Sequence, residues 1–100
     1  MGVPGHQGVK VEYSARARRD LELAEAEMAA RSPSGARRVL LRLAKRIHDL
    51  VDMPFQGRIS RVAGARELVV TRTPYIVFYN VTDDVVTILT VRHAARKPLG

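Results

Sequence analysis

The sequence predicts an α+β fold, a helix hairpin packed on a curved antiparallel sheet in the order β-α-α-β-β-β. Three observations carry that prediction. A short segment near the start alternates apolar and polar residues. Two helix-forming segments follow, separated only by Ser32–Pro33. Three β-rich segments then close the chain with short turns between them. At 100 residues the chain suits one compact domain, and 46% hydrophobic residues suffice for a modest core.

Val9, Val11 and Tyr13 alternate with Lys10 and Glu12, the period of a strand with one buried face. Ser14 follows as a helix N-cap. From Ala15 to Arg31 there is neither Gly nor Pro, and strong helix formers dominate. Ala17, Leu21, Ala24 and Met28 share one face of that helix. Ser32 can cap a second helix with Pro33 at its first position, where the missing N–H leaves nothing unpaired. Ala36, Leu40, Leu43, Ile47 and Leu50 recur at helical spacing, with Val39 widening the stripe and Arg38, Arg42 and Lys45 on the outer face. Met53–Pro54 ends this helix.

Phe55 to Ala65 shows no period and is expected to be a loop. Three strands are expected beyond it, Glu67–Thr71, Tyr75–Val81 and Val85–Arg92, with turns at Thr73–Pro74 and Asp83–Asp84. In the second strand Ile76 and Phe78 lie opposite Tyr75, Val77 and Tyr79. In the third, Val86 and Ile88 lie opposite Leu89 and Val91. Short links make these strands an antiparallel meander. Residues 1–8 have no apolar stretch of signal-peptide type and are expected to form a flexible tail ahead of a single domain spanning 9–98.

The net charge is +7, so an acidic partner is expected: nucleic acid, an anionic surface or an acidic protein segment. Asp20, Glu22, Glu25 and Glu27 crowd onto the first helix, while the stretch 31–66 holds nine Lys and Arg against Asp49 and Asp52. The bias therefore belongs to a section of chain rather than to one charge run. No Cys is present, which excludes disulfides and thiolate chemistry and fits a cytoplasmic location. No apolar run approaches the ~20 residues of a membrane span.

No Gly-rich phosphate loop follows a strand, and His6, His48 and His93 are too widely spaced for a metal motif, so neither cofactor nor metal is expected. His48, beside the apolar stripe, reads as a structural or surface histidine. His93 ends the last strand among Arg92, Arg96 and Lys97. Neighbouring cations disfavour a further positive charge, so a neutral imidazole able to act as a base is one expectation and simple packing at a strand end is the other. Arg58, Arg61 and Arg66 flank the loop entering the sheet and can grip phosphate or carboxylate through paired donors. The tyrosines could stack on bases, but with five aromatic residues in the chain core use is favoured.

The second half of the chain carries an ordered series of motifs: Gly57-Arg58; Arg66-Glu67-Leu68; Pro74-Tyr75-Ile76-Val77-Phe78-Tyr79-Asn80-Val81; and Ile88-Leu89-Thr90-Val91-Arg92-His93-Ala94-Ala95-Arg96. Together with the helix entry Ser14-Ala15-Arg16-Ala17-Arg18-Arg19-Asp20-Leu21, this order and spacing resembles the RelE/ParE superfamily of toxins. The resemblance covers Val9 to Pro98 and implies two helices against an antiparallel sheet. It also implies a bacterial growth-inhibiting toxin, in a hetero-oligomer with a cognate antitoxin that is a separate acidic polypeptide. Leu21, Met28, Leu40 and Leu43 on the helix hairpin are the residues expected to meet it.

The superfamily divides by target. RelE-like members cleave mRNA on the ribosome with basic residues and a Tyr or His; ParE-like members poison DNA gyrase and are not enzymes of this kind. The segment after Arg96 has no Tyr, and Lys occurs only at Lys10, Lys45 and Lys97. Both features favour the ParE branch, with Arg66, Arg92, Arg96 and Lys97 expected to contact the target. The alternative, a ribosome-dependent endoribonuclease, would use His93, Arg58 and Arg61. A further alternative is a non-catalytic basic nucleic-acid-binding module. No membrane partner is expected.

Overall fold

A computed structural model describes residues 9–95. The tail expected at residues 1–8, and the expected target contacts Arg96 and Lys97, lie outside the described residues. The elements are β1 (Lys10–Tyr13), α1 (Ala15–Arg31), α2 (Pro33–Asp49), β2 (Arg58–Ile59), β3 (Arg66–Val69), β4 (Tyr75–Thr82) and β5 (Val85–His93). The strands form one sheet in the order β1-β5-β4-β3-β2.

Ser14 starts α1 as the sequence predicts: its Oγ accepts the Ala17 N–H at 2.9 Å. The same hydroxyl donates to the Leu89 carbonyl at 2.8 Å, so the cap also fastens α1 to β5. Ser32 closes one helix and opens the next. Its N–H donates to the Met28 carbonyl, and its Oγ accepts from Gly35 N at 3.1 Å. With a single residue between them, the helices turn back on each other and pack together. α1 lies on the sheet at β5, where its buried contact residues are the small Ala17 and Ala24. Leu43 and Ile47 of α2, with Leu50 just beyond, complete a core against Leu68, Val77, Tyr79, Val86 and Ile88. α2 ends at Asp49, and Leu50 and Val51 tighten its last turn with bonds to the carbonyls three residues back.

Besides Val91, which a bulge in β5 brings into the core with Val86 and Ile88 rather than opposite them, two features differ from the sequence expectation. The sheet is mixed: β2–β3, β3–β4 and β4–β5 are antiparallel, but β1 pairs with β5 in parallel, Val11 opposite Val86 and Tyr13 opposite Ile88. Period two marks β1 as a strand but says nothing of its partner. β4 already occupies one edge of β5, so β1 takes the other, and Ser14 N bonds Ile88 O at 3.0 Å as the chain turns into α1. The second difference lies in the expected loop 55–65, where Arg58–Ile59 pair with Glu67 and Arg66 as an edge strand. Two residues are too few to display a period.

The β4–β5 ladder slips at Phe78/Tyr79: Phe78 faces Thr90 while Tyr79 faces Ile88, leaving Leu89 as the extra residue of a β-bulge. α1 meets the sheet beside this bulge. The carboxylate of Asp20 accepts from Thr90 Oγ1 at 2.5 Å and Val91 N at 3.0 Å. Asp83 turns the β4–β5 hairpin with a positive φ of 53°, a conformation short polar residues tolerate.

Candidate functional site

The helices cover one face of the sheet and leave the other open. On β4, Tyr75, Val77 and Tyr79 point into the core, so the alternation that buries them turns Ile76 and Phe78 outward. Glu67 and Val69 of β3 pair with Phe78 and Ile76, and Arg92 of β5 pairs with Ile76. Glu67, Ile76, Phe78 and Arg92 floor a groove of about 400 Å³, walled by Arg58, Ser60, Arg61 and His93. The structure thus brings together Arg58, Arg61, Arg92 and His93, which are up to 35 residues apart (58 to 93) in the chain.

Each basic group is held differently. Arg58, 72% exposed, reaches across the β2–β3 ladder to Glu67, donating Nε at 3.3 Å and Nη2 at 3.1 Å to the single oxygen Oε1. Arg61 is exposed at the groove's rim, and Arg92 is half-buried. His93 packs edge-on to the Tyr75 ring, with centroids 5.4 Å apart and an interplanar angle of 80°. Its Nδ1 accepts the Ala95 N–H at 3.1 Å.

Arg66, the other arginine expected at the site, is engaged elsewhere. Its Nη1 donates to the carbonyls of Gly57 at 2.8 Å and Phe55 at 3.2 Å, and its guanidinium lies 5.1 Å from the Phe55 ring centroid. It braces the entrance of the loop rather than lining the groove. The Gly57 N–H in turn donates to the buried Tyr79 hydroxyl at 2.8 Å. Residue 57 must be glycine for want of room: a Cβ there would stand 2.7 Å from the Glu67 carbonyl and 2.7 Å from the Tyr79 hydroxyl. These contacts set where β2, and hence Arg58, lies along the sheet. Glu67 was the residue that charge counting missed. Its signal was its place directly after Arg66 in a period-two strand, which turns the two side chains to opposite faces.

The second candidate surface lies between the helices. Leu21, Leu40 and Leu43 line a cleft of about 190 Å³ with Tyr13, Glu22 and Glu25. It is continued by a shallower depression of about 560 Å³ bordered by Ala29, Pro33, Arg37 and the exposed Leu41. Of the four residues expected to meet a partner there, Leu21, Met28 and Leu40 are half-buried against the core, and Leu43 is fully buried within it. His48 is exposed, and Tyr75 and Tyr79 are core residues. Burial pushes the half-buried Tyr13 hydroxyl above its ordinary pKa. Among the described residues no cluster could hold a metal ion, and no helix is long and apolar enough to cross a membrane.

Residues 11–98 match the family model described as the ParE toxin of the type II toxin–antitoxin system parDE. A Caulobacter vibrioides protein named toxin RelE2 is 39% identical over 87 residues, 87% of this chain and 97% of that protein. A Sinorhizobium fredii protein, Y4kP, likewise named as a toxin, is 36% identical over 85 residues, 85% of this chain and 88% of its own length. Among solved structures, a chain of the chromosomal ParDE system from P. aeruginosa superposes with a TM-score of 0.79 at 22% identity, covering 88% of this chain and 97% of that one. E. coli YafQ superposes with a TM-score of 0.60 at 19% identity, covering 87% and 94%. At these identities the structural likeness shows the fold.

Proposed function

The chain belongs to the ParE toxin family of type II toxin–antitoxin systems, and from that premise we propose that it arrests growth by poisoning DNA gyrase until a cognate antitoxin neutralises it. The single observation that carries the choice of target is the family match over residues 11–98. Two features of the groove support it. No tyrosine or lysine is among the described residues that line it. His93 Nδ1 is already engaged by the Ala95 N–H, so using that nitrogen in proton transfer would give up the bond. A protein-binding role needs neither acid nor base. The groove's arginines would then face the target, and the apolar cleft between α1 and α2 would take the antitoxin, with Leu21 and Leu40 as contacts.

A supercoiling assay with purified toxin, gyrase and ATP tests this. Loss of supercoiling with accumulation of a trapped DNA-cleavage complex is expected. Unchanged supercoiling at toxin well above the gyrase concentration would sink it. The convergence of Arg58, Arg61 and His93 on one groove favours a second reading, ribosome-dependent mRNA cleavage, in which the cations would stabilise the charge developing on the phosphorane. Mapping mRNA 5′ ends after induction separates the two.

A further inference from the structure

Glu67 is the only carboxylate among the described residues that line the basic groove. Its side chain is 16% exposed, against 72% for Arg58. A carboxylate that deep needs a cation or donors, and Arg58 supplies both. The geometry is end-on, however: Nε and Nη2 converge on Oε1 alone. The strongest arginine–carboxylate pairs instead use two parallel bonds to two oxygens. The acid is anchored by its strand, whereas the base is exposed and weakly held, as surface ion pairs are. Arg61 and Arg92 stand in the same groove.

We propose that Glu67 is the groove's own stand-in for a ligand carboxylate, and that the groove receives an acidic peptide segment of a protein partner whose carboxylate draws Arg58 off Glu67. This deepens the reading of the open sheet face as a target contact and rests on it. Glu67 makes Arg58 a conditional cation: paired when the groove is empty, turned outward when a better-placed acid arrives. The occupant is taken as protein because the Arg58 donors already hold a carboxylate and because the reading on which this rests is a contact with a protein target; a phosphate strand is the outcome the test tells apart.

The test is a binding cycle on the full chain, read by fluorescence anisotropy at low ionic strength with a labelled peptide of alternating Glu and Gly. Glu67→Gln removes the competitor with little change of shape and is expected to tighten binding by about fivefold. Glu12→Gln, on exposed β1 outside the groove, makes the same change of net charge and is expected to have far less effect. In an Arg58→Gln background the Glu67→Gln gain is expected to vanish. Glu67→Asp keeps the charge but withdraws the carboxylate from Arg58; it should also tighten binding, and it serves if Glu67→Gln does not fold. A Glu67→Gln gain no larger than that of Glu12→Gln, or one that persists without Arg58, overturns the proposal. So does tightening of an oligothymidylate with no change for the peptide. Gyrase poisoning with a flat cycle sinks the role of Glu67 alone, and a coupled cycle without gyrase poisoning sinks the target alone.

Discussion

The carboxylate of Asp20 on α1 holds β5 at its bulge, taking the Thr90 hydroxyl at 2.5 Å and the Val91 N–H at 3.0 Å. A buried N–H left without an acceptor is costly. Asp20 supplies the acceptor for the Val91 N–H from a different element, beyond the point where β1 pairing ends at Ile88, and so registers the helix hairpin against the strand that ends in Arg92 and His93. Asp20→Ala is expected to cost about 2 kcal/mol, the loss of hydrogen bonds to a charged group. In a domain of this size each kcal/mol lowers Tm by roughly 4–8 °C. Thermal melts of Asp20→Ala, Thr90→Val and the double variant check it. Strict additivity would show that the two side chains are not coupled.

Gly57 and Tyr79 form a second fixed pair, joining the loop before β2 to the centre of β4. Tyr79→Phe leaves the buried Gly57 N–H without an acceptor and is expected to cost about 1–3 kcal/mol. Gly57→Ala inserts a methyl 2.7 Å from the Glu67 carbonyl and from the Tyr79 hydroxyl, and overpacking of this kind costs about 1–3 kcal/mol. The phenylalanine variant removes the hydroxyl clash but keeps the ring edge, whose Cε1 lies 2.8 Å from the added methyl, so the double variant should fall only slightly short of the two singles summed. Chemical denaturation with an unchanged m-value is the measurement.

The contrast between these two pairs explains what could be seen in the sequence. Tyr79 and Val77 were legible as sharing one strand face, opposite Ile76 and Phe78, because strand alternation reports shared faces directly; that this face is the buried one comes from the helices packed on it. Ser14 and Ser32 were legible as caps because capping is local, complete within three residues. Asp20 reads only as one of four acids on α1, since its partners lie 70 and 71 residues away. The groove was half legible: the sequence flagged Arg58, Arg61 and His93 one by one, but only the β2–β3–β4–β5 register brings them together. The engagement of Arg66 by two backbone carbonyls was not legible, because charge alone cannot tell a guanidinium facing solvent from one so held.

Tyr13 gives a pH signature. Burial raises its pKa in the folded chain, whereas the unfolded chain ionises it near 10. Above that value the unfolded state binds fewer protons than the folded one, so this group's contribution to stability falls as pH rises. The contribution is complete below about pH 10 and is lost as pH climbs through the folded-state pKa. Tyr13→Phe has no such loss. The difference in Tm between wild type and Tyr13→Phe should stay constant from neutral pH up to that point and then shift in favour of the variant. A difference that stays flat through strongly alkaline pH would mean that Tyr13 is solvated in the folded chain.

His93→Gln separates the two readings of the groove at a single atom. If the chain acts by gripping a protein target, the imidazole is a wall residue against Tyr75, and growth arrest on induction should persist within a few-fold of wild type. If the chemistry is RNA cleavage with His93 as general base, arrest and mRNA cleavage should fall together by about 10²–10⁴, the usual worth of a positioned proton acceptor. Gln keeps a polar group near the Ala95 N–H, so the strand end is conserved while proton transfer is removed. The expected outcome is retained arrest, retained trapped gyrase complex and unchanged mRNA ends. Loss of arrest with a normal thermal melt and newly intact mRNA would assign the groove to catalysis.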